Sequence, residues 1–132
     1  MPFQAASKKQ KVTFGLQHSM LMFRNFYTKK AANTLFGKTS LRENPSFINQ
    51  LKRPMGILST SQIKQIDKIV ILNAEDATDL IKSLKVKAIA LKGEEDYVPK
   101  PPYIETIVVN GGHISPLEQP NEVSNLVNRL IE

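Results

Sequence analysis

Two residues late in the chain have types and positions that could do acid–base chemistry. Asp96 follows the short apolar segment Val86-Lys87-Ala88-Ile89-Ala90-Leu91-Lys92 and Gly93. His113 follows Glu105-Thr106-Ile107-Val108-Val109 and the turn Asn110-Gly111-Gly112. An aspartate beside a histidine can fix its tautomer and stabilise the imidazolium, and the histidine can then act as general base for a hydroxyl nucleophile. Other candidates have simpler readings. His18 reads as a bystander on a basic helix, and Asp76 and Asp79 as capping or surface carboxylates. Glu94 and Glu95 flank Asp96 in an acidic loop, so position alone singles out Asp96. The chain has no cysteine, which excludes a disulfide scaffold, a thiol nucleophile and a cysteine-ligated metal or cluster. With two histidines a His-rich metal site is excluded as well, and no cofactor or metal is expected.

The elements that must position this pair are two strands, about 86–92 and 105–109. Both are short apolar runs closed by glycine signals. If they are parallel neighbours, Asp96 and His113 lie at the same carboxyl edge, where open α/β sheets hold ligands. Pro99, Pro101 and Pro102 forbid a regular helix between them. From Asn121, the spacing of Val123, Leu126, Val127, Leu130 and Ile131 predicts an amphipathic helix to the end of the chain.

The upstream part reads as helical. Residues 1–14 are expected to be a basic, flexible tail. Leu16, Met20, Phe23, Tyr27, Ala31 and Leu35 have helical spacing, with Gly37 as a stop. Asn44-Pro45 predicts the start of a short helix that Pro54 and Gly56 end. Ser59 or Ser61 is expected to cap the next helix, whose face is Ile63, Ile66 and Val70. A strand over Ile69–Leu72 is the weaker alternative. Phe23, Phe26 and Tyr27 fit either helix packing or an acyl-binding wall.

Composition bounds what such a chain can be. In 132 residues there are 18 Lys+Arg against 12 Asp+Glu, a net charge of +6, with 41% hydrophobic residues. That suits one domain and argues against wholesale disorder. No apolar run reaches the ~18 residues that span a bilayer, so no transmembrane segment is expected. The first 42 residues hold 8 basic and 0 acidic residues. They could be a nucleic-acid-binding arm, an organellar targeting segment or a basic surface. Arginine is scarce there and aromatics are not interleaved with the lysines. A basic surface on a cytoplasmic protein is therefore the preferred reading, organellar the alternative, and nucleic acid is not expected as a partner. Lys8, Lys9 and Lys11 read as solvated.

Residues 76–132 resemble the C-terminal end of the α/β-hydrolase family, of the esterase, lactonase and lipase type. Asp76-Ala77-Thr78-Asp79-Leu80 and Leu84-Lys85-Val86-Lys87 look like the helix into the family's seventh strand, with Lys87 where a proline is usual. Gly93-Glu94-Glu95-Asp96-Tyr97-Val98-Pro99 is similar to the loop bearing the acid. Gly111-Gly112-His113, then Pro116-Leu117-Glu118-Gln119-Pro120, matches the catalytic-histidine loop. A fainter likeness over residues 43–75 suggests a lid exit.

The resemblance implies an incomplete α/β-hydrolase C-terminal half, with a helical, lid-like region at 15–75. It implies ester or related acyl hydrolysis by a Ser-His-Asp mechanism, with His113 as base and acid and Asp96 as its partner. The sequence departs from the family in lacking a Gly-x-Ser-x-Gly elbow and an upstream His-Gly oxyanion motif. Only 16 residues separate Asp96 from His113. On this reading the serine would come from a missing N-terminal half or a second chain, and the chain alone would be inactive. The competing expectation is a non-catalytic interaction protein that uses its basic N-terminal region or an exposed sheet edge.

Overall fold

The computed structural model describes residues 5–131. It is mostly helical, with two short parallel strands. In order come α1 (Lys8–Ser19), a 3-10 turn (Met20–Met22), α2 (Arg24–Leu35), α3 (Lys38–Glu43), α4 (Phe47–Ile57) and α5 (Thr60–Asp67). A π-helical turn (Lys68–Leu72) extends α5. Then follow α6 (Thr78–Lys82), β1 (Ile89–Gly93), β2 (Glu105–Val109), α7 (Ser115–Glu118) and α8 (Pro120–Ile131).

The strands pair in parallel, from Ile89 opposite Glu105 to Gly93 opposite Val109. β2 has the expected bounds, whereas β1 begins three residues later than expected because Val86 and Lys87 stand in solvent. The crossover, residues 94–104, is short for a parallel connection and contains no helix. Its prolines rule a helix out, and Tyr103 turns it with φ 61°, in the left-handed region.

Three upstream expectations need correction. The flexible tail over 1–14 is helical from Lys8, and its first four residues lie outside the described ones. The reason is a capping box: Ser7 Oγ accepts from Gln10 N–H at 3.2 Å, and Ser7 N–H donates to Gln10 Oε1 at 2.8 Å. The helix expected across 15–36 is broken at Met20–Phe23. The break buries Leu21 and leaves Leu16 and Phe23 exposed. Finally, α4 runs through Pro54 to Ile57. Proline removes one helical hydrogen bond there, and Arg24 closes the end instead. Its Nη1 donates to the carbonyls of Met55 and Leu58, both at 3.0 Å. Ser59 caps α5 with a second capping box through Gln62.

The small core of the helical part is Leu21, Tyr27 and Ile63, with Met55 and Leu58 packed against them. A second contact zone joins this part to the strands. Phe36 is buried and stacks on Phe47 at 5.3 Å. The Ile114 N–H donates to the Leu35 carbonyl. The segment after α2 therefore lies against the loop that carries His113.

Candidate functional site

Three stretches of chain meet beyond the carboxyl ends of the strands: residues 35–39, 93–98 and 110–118. Glycines allow the approach. A Cβ on Gly93 would collide with the Gly111 and Gly112 carbonyl oxygens, and one on Gly112 would collide with the Gly37 nitrogen and the backbone of Phe36. Gly111 has φ +100°, a conformation that side chains rarely adopt. Bare backbone is thus required at the base of the His113 loop.

Glu118 then locks that loop. Its buried carboxylate accepts from Gly112 N–H through Oε1 and from Gly37 N–H through Oε2, both at 2.8 Å. One side chain satisfies donors on two segments 75 positions apart in sequence, and neither donor has a helical or strand partner. Glu95 makes a similar bridge at the surface. It accepts from the backbone N–H of Lys38 at 2.8 Å and of Thr39 at 3.1 Å, where α3 begins. Hydrogen bonds from Thr39, its side chain first and then its backbone, hold the Glu95 carboxyl below the usual carboxylate range.

The acid loop is shaped from within by Lys92. Its Nζ leaves β1 and donates to the carbonyls of Asp96 at 2.5 Å and Val98 at 2.6 Å. Asp96 Oδ1 accepts from Val98 N–H at 2.9 Å, a turn that fixes the carboxylate. Into this carboxylate points His113. Its Nδ1 lies 3.1 Å from both Asp96 oxygens. The Asp96 side chain keeps 9% of its exposure and that of His113 22%. A carboxylate only accepts, so Nδ1–H donates and Nε2 carries the free lone pair in neutral imidazole. The Tyr97 ring packs 5.3 Å from the imidazole. Burial, and then the Asp96 charge, push the Tyr97 hydroxyl above its ordinary pKa.

The pair Asp96 and His113 therefore sits together at the strand ends. The short, proline-filled crossover does not displace the acid, because Lys92 and Val98 hold it. Among the described residues, no serine hydroxyl hydrogen-bonds to His113. Ser115 is buried two positions on, with its carbonyl accepting from Gln119. No group of three or more His, Asp or Glu that could hold a metal occurs among the described residues. No helix among them is long and apolar enough to cross a membrane.

A cavity of about 290 Å³ opens beside Tyr97, walled by Phe14, Ala31, Leu35, Met55 and Ile71. Its polar lining includes Tyr27 and Asp67. The Tyr27 hydroxyl donates to Asp67 Oδ2 at 2.9 Å, and His18 Nε2 meets the same oxygen at 2.9 Å. Burial, and then the charge of Asp67, push the Tyr27 hydroxyl well above its ordinary value. His18 is thus no bystander, although nothing in its neighbourhood in sequence points to Asp67, which is 49 positions away. Phe26 and Phe23 do not line this cavity and are exposed, whereas Tyr27 does.

Sequence reasoning missed Glu118, Lys92 and Glu95 as supporting residues. Glu118 stood within the His113 motif, and Lys92 was the charge that closes an apolar run, so both left a signal. Glu95 left none, because its partners, the backbone N–H groups of Lys38 and Thr39, lie more than fifty positions away. Compared with protein-family models and with curated proteins, the chain matches none.

Proposed function

We propose that this chain is the C-terminal part of a serine hydrolase acting on esters or related acyl substrates. The observation that carries the reading is the Asp96–His113 pair, carboxylate to Nδ1 at 3.1 Å, at the carboxyl edge of parallel strands. In that role Nε2 of His113 takes the proton of a serine hydroxyl as it attacks the ester carbonyl, and returns it to the departing alcohol. Asp96 holds the tautomer and faces the imidazolium. The serine would be supplied by a portion outside these 132 residues or by a second chain. The apolar cavity beside Tyr97 is suited to a modest acyl group.

The test uses an activated ester, p-nitrophenyl acetate, whose leaving group departs without protonation. A free imidazole Nε2 can attack it directly, release nitrophenolate and lose the acyl group to water. Release should exceed that of His113→Ala severalfold, and Asp96→Asn should fall between the two. A folded chain no faster than His113→Ala would mean that Asp96 does not make Nε2 of His113 a usable base, and would overturn the role given to the pair. A second reading would then stand, a non-catalytic protein that binds a partner. One observation favours it: the chain exposes 9242 Å², against ~7000 Å² for a compact monomer of this mass.

A further inference from the structure

Helices α1 and α5 contribute basic residues to one cleft, whose lining includes neither Asp96 nor His113. Lys11 and His18 lie two turns apart on α1, hence on one face. Lys64 and Lys68 lie one turn apart on α5 and its π-helical extension, with Leu72 a turn further. Together with Asn73 these residues line a cleft of about 320 Å³. No carboxylate lines it. The ion pairs among the described residues are His18–Asp67 and His113–Asp96, and neither involves a lysine. Asp67, the neighbouring acid, already receives the Tyr27 hydroxyl and the His18 imidazole on one oxygen.

Three lysines therefore line one cleft, and none of them is ion-paired to a carboxylate among the described residues. Their mutual repulsion is relieved by an anion that all three can reach. The His18 side chain is only 15% exposed and is anchored through Nε2, so it forms a fixed wall rather than a mobile arm. Leu72 gives that wall one apolar element, and Asn73 an amide with both donor and acceptor.

We infer that this cleft binds a small phosphorylated compound, with its phosphoryl group among Lys11, Lys64 and Lys68 and its remainder against Leu72 and Asn73. The concavity falls in the range of small-molecule sites. No Phe, Tyr or Trp on which nucleic-acid bases would stack lines the cleft, and its one ring, the His18 imidazole, is tied to Asp67. The assignment is independent of the hydrolase reading.

Calorimetric titration of the full chain tests it, at about 150 mM salt to screen loose charge effects. The probes are inorganic phosphate, inorganic pyrophosphate and phenyl phosphate. Saturable binding is expected, with phenyl phosphate tighter than inorganic phosphate, because only the former reaches Leu72. The double variant Lys64→Gln with Lys68→Gln should bind at least tenfold more weakly. Lys85→Gln with Lys87→Gln removes the same charge from exposed positions elsewhere and should stay within twofold. If circular dichroism shows the cleft double unfolded, Lys11→Gln on the opposite wall reads the same site. No saturable heat with any probe would overturn the proposal. So would equal weakening in both doubles, which would mark a general charge effect. Duplex DNA binding more tightly than pyrophosphate, and lost in the cleft double, would overturn it in favour of a nucleic-acid surface. Free phosphate binding as tightly as phenyl phosphate would restrict the site to the inorganic anion and overturn the part of the assignment that involves Leu72 and Asn73.

Discussion

His113 owes its orientation to a residue that never touches it. Asp96 fixes the ring, but Glu118 fixes the backbone that carries the ring, through Gly112 N–H. Glu118→Gln leaves one acceptor oxygen where two backbone donors converge, and turns an amide N–H₂ toward the other. Leaving a buried donor unsatisfied costs about 1–3 kcal/mol. We expect a loss of that size in urea unfolding, together with a His113 side-chain NMR signal that shifts or broadens even at temperatures where the fold persists. A change in stability without a change at His113 would reduce Glu118 to a general structural tie. Tyr27 gives a second expectation at this scale. Its folded pKa is raised, so the proton is held more tightly in the folded state. The resulting stability is present below the ordinary tyrosine pKa of about 10 and is lost as pH rises beyond it. Titration followed by tyrosinate absorbance should show fewer than the three tyrosines ionising before alkaline unfolding. Tyr27→Phe should remove the group that ionises only on unfolding.

The elements divide into those whose determinants are local and those whose determinants are not. β2 was legible because Thr106-Ile107-Val108-Val109 is a β-branched run closed by Asn-Gly-Gly. α8 was legible because its apolar residues recur at helical spacing and bury Leu126. The pairing of Asp96 with His113 was legible for the same reason, since each follows a readable strand. The break at Met20–Phe23 was not, because its cause is the tertiary core that takes Leu21 and Tyr27. The run of α4 through Pro54 was not either, since its closure comes from Arg24, more than thirty positions away. The glycines show the same division. Gly111 and Gly112 read as a turn, but their packing against Gly37 is visible only in the fold. Gly112→Ala should therefore do more than stiffen a turn. Its Cβ meets backbone, which cannot rotate aside, and overpacking of this kind costs about 1–3 kcal/mol or more. A melting point lowered by several degrees would bear this out, and an unchanged one would mean that residues 35–37 do not pack there. Glu95 acts at the start of α3 with the opposite sign to Tyr27. Its pKa is lowered, so its contribution is present above the ordinary glutamate value and is lost as pH falls through the folded one. Glu95→Gln should be less stable than the parent at neutral pH by less than about 1 kcal/mol, because the group is exposed. The gap should close in acid.

At the scale of the whole molecule, surface outweighs core. Among the described residues the buried apolar side chains are few: Leu21, Tyr27, Ala32, Phe36, Ile63, Val109 and Leu126. Large apolar groups stay in water, among them Val86 at 70% exposure, Val127 at 48% and Ile131 at 79%. Two strands alone make a marginal sheet, and both outer edges here are free of strand partners among the described residues. The surplus of surface over a compact monomer, roughly 2000 Å² on one chain, exceeds the ~800 Å² that each partner buries in a standard interface. The dependence of unfolding on denaturant tests this, since its slope scales with the surface newly exposed. A chain that stays alone in solution should give a shallow slope in urea, near ~1 kcal/mol per molar, at the low end for small proteins. Its midpoint should not move with protein concentration. A steep slope with a midpoint that rises with concentration would mean that copies of the chain cover one another. Lysine at Val127 and Ile131 should then return both slope and midpoint to the monomer's values. A steep slope with no concentration dependence would contradict the exposed faces themselves, because it would require a monomer that buries them.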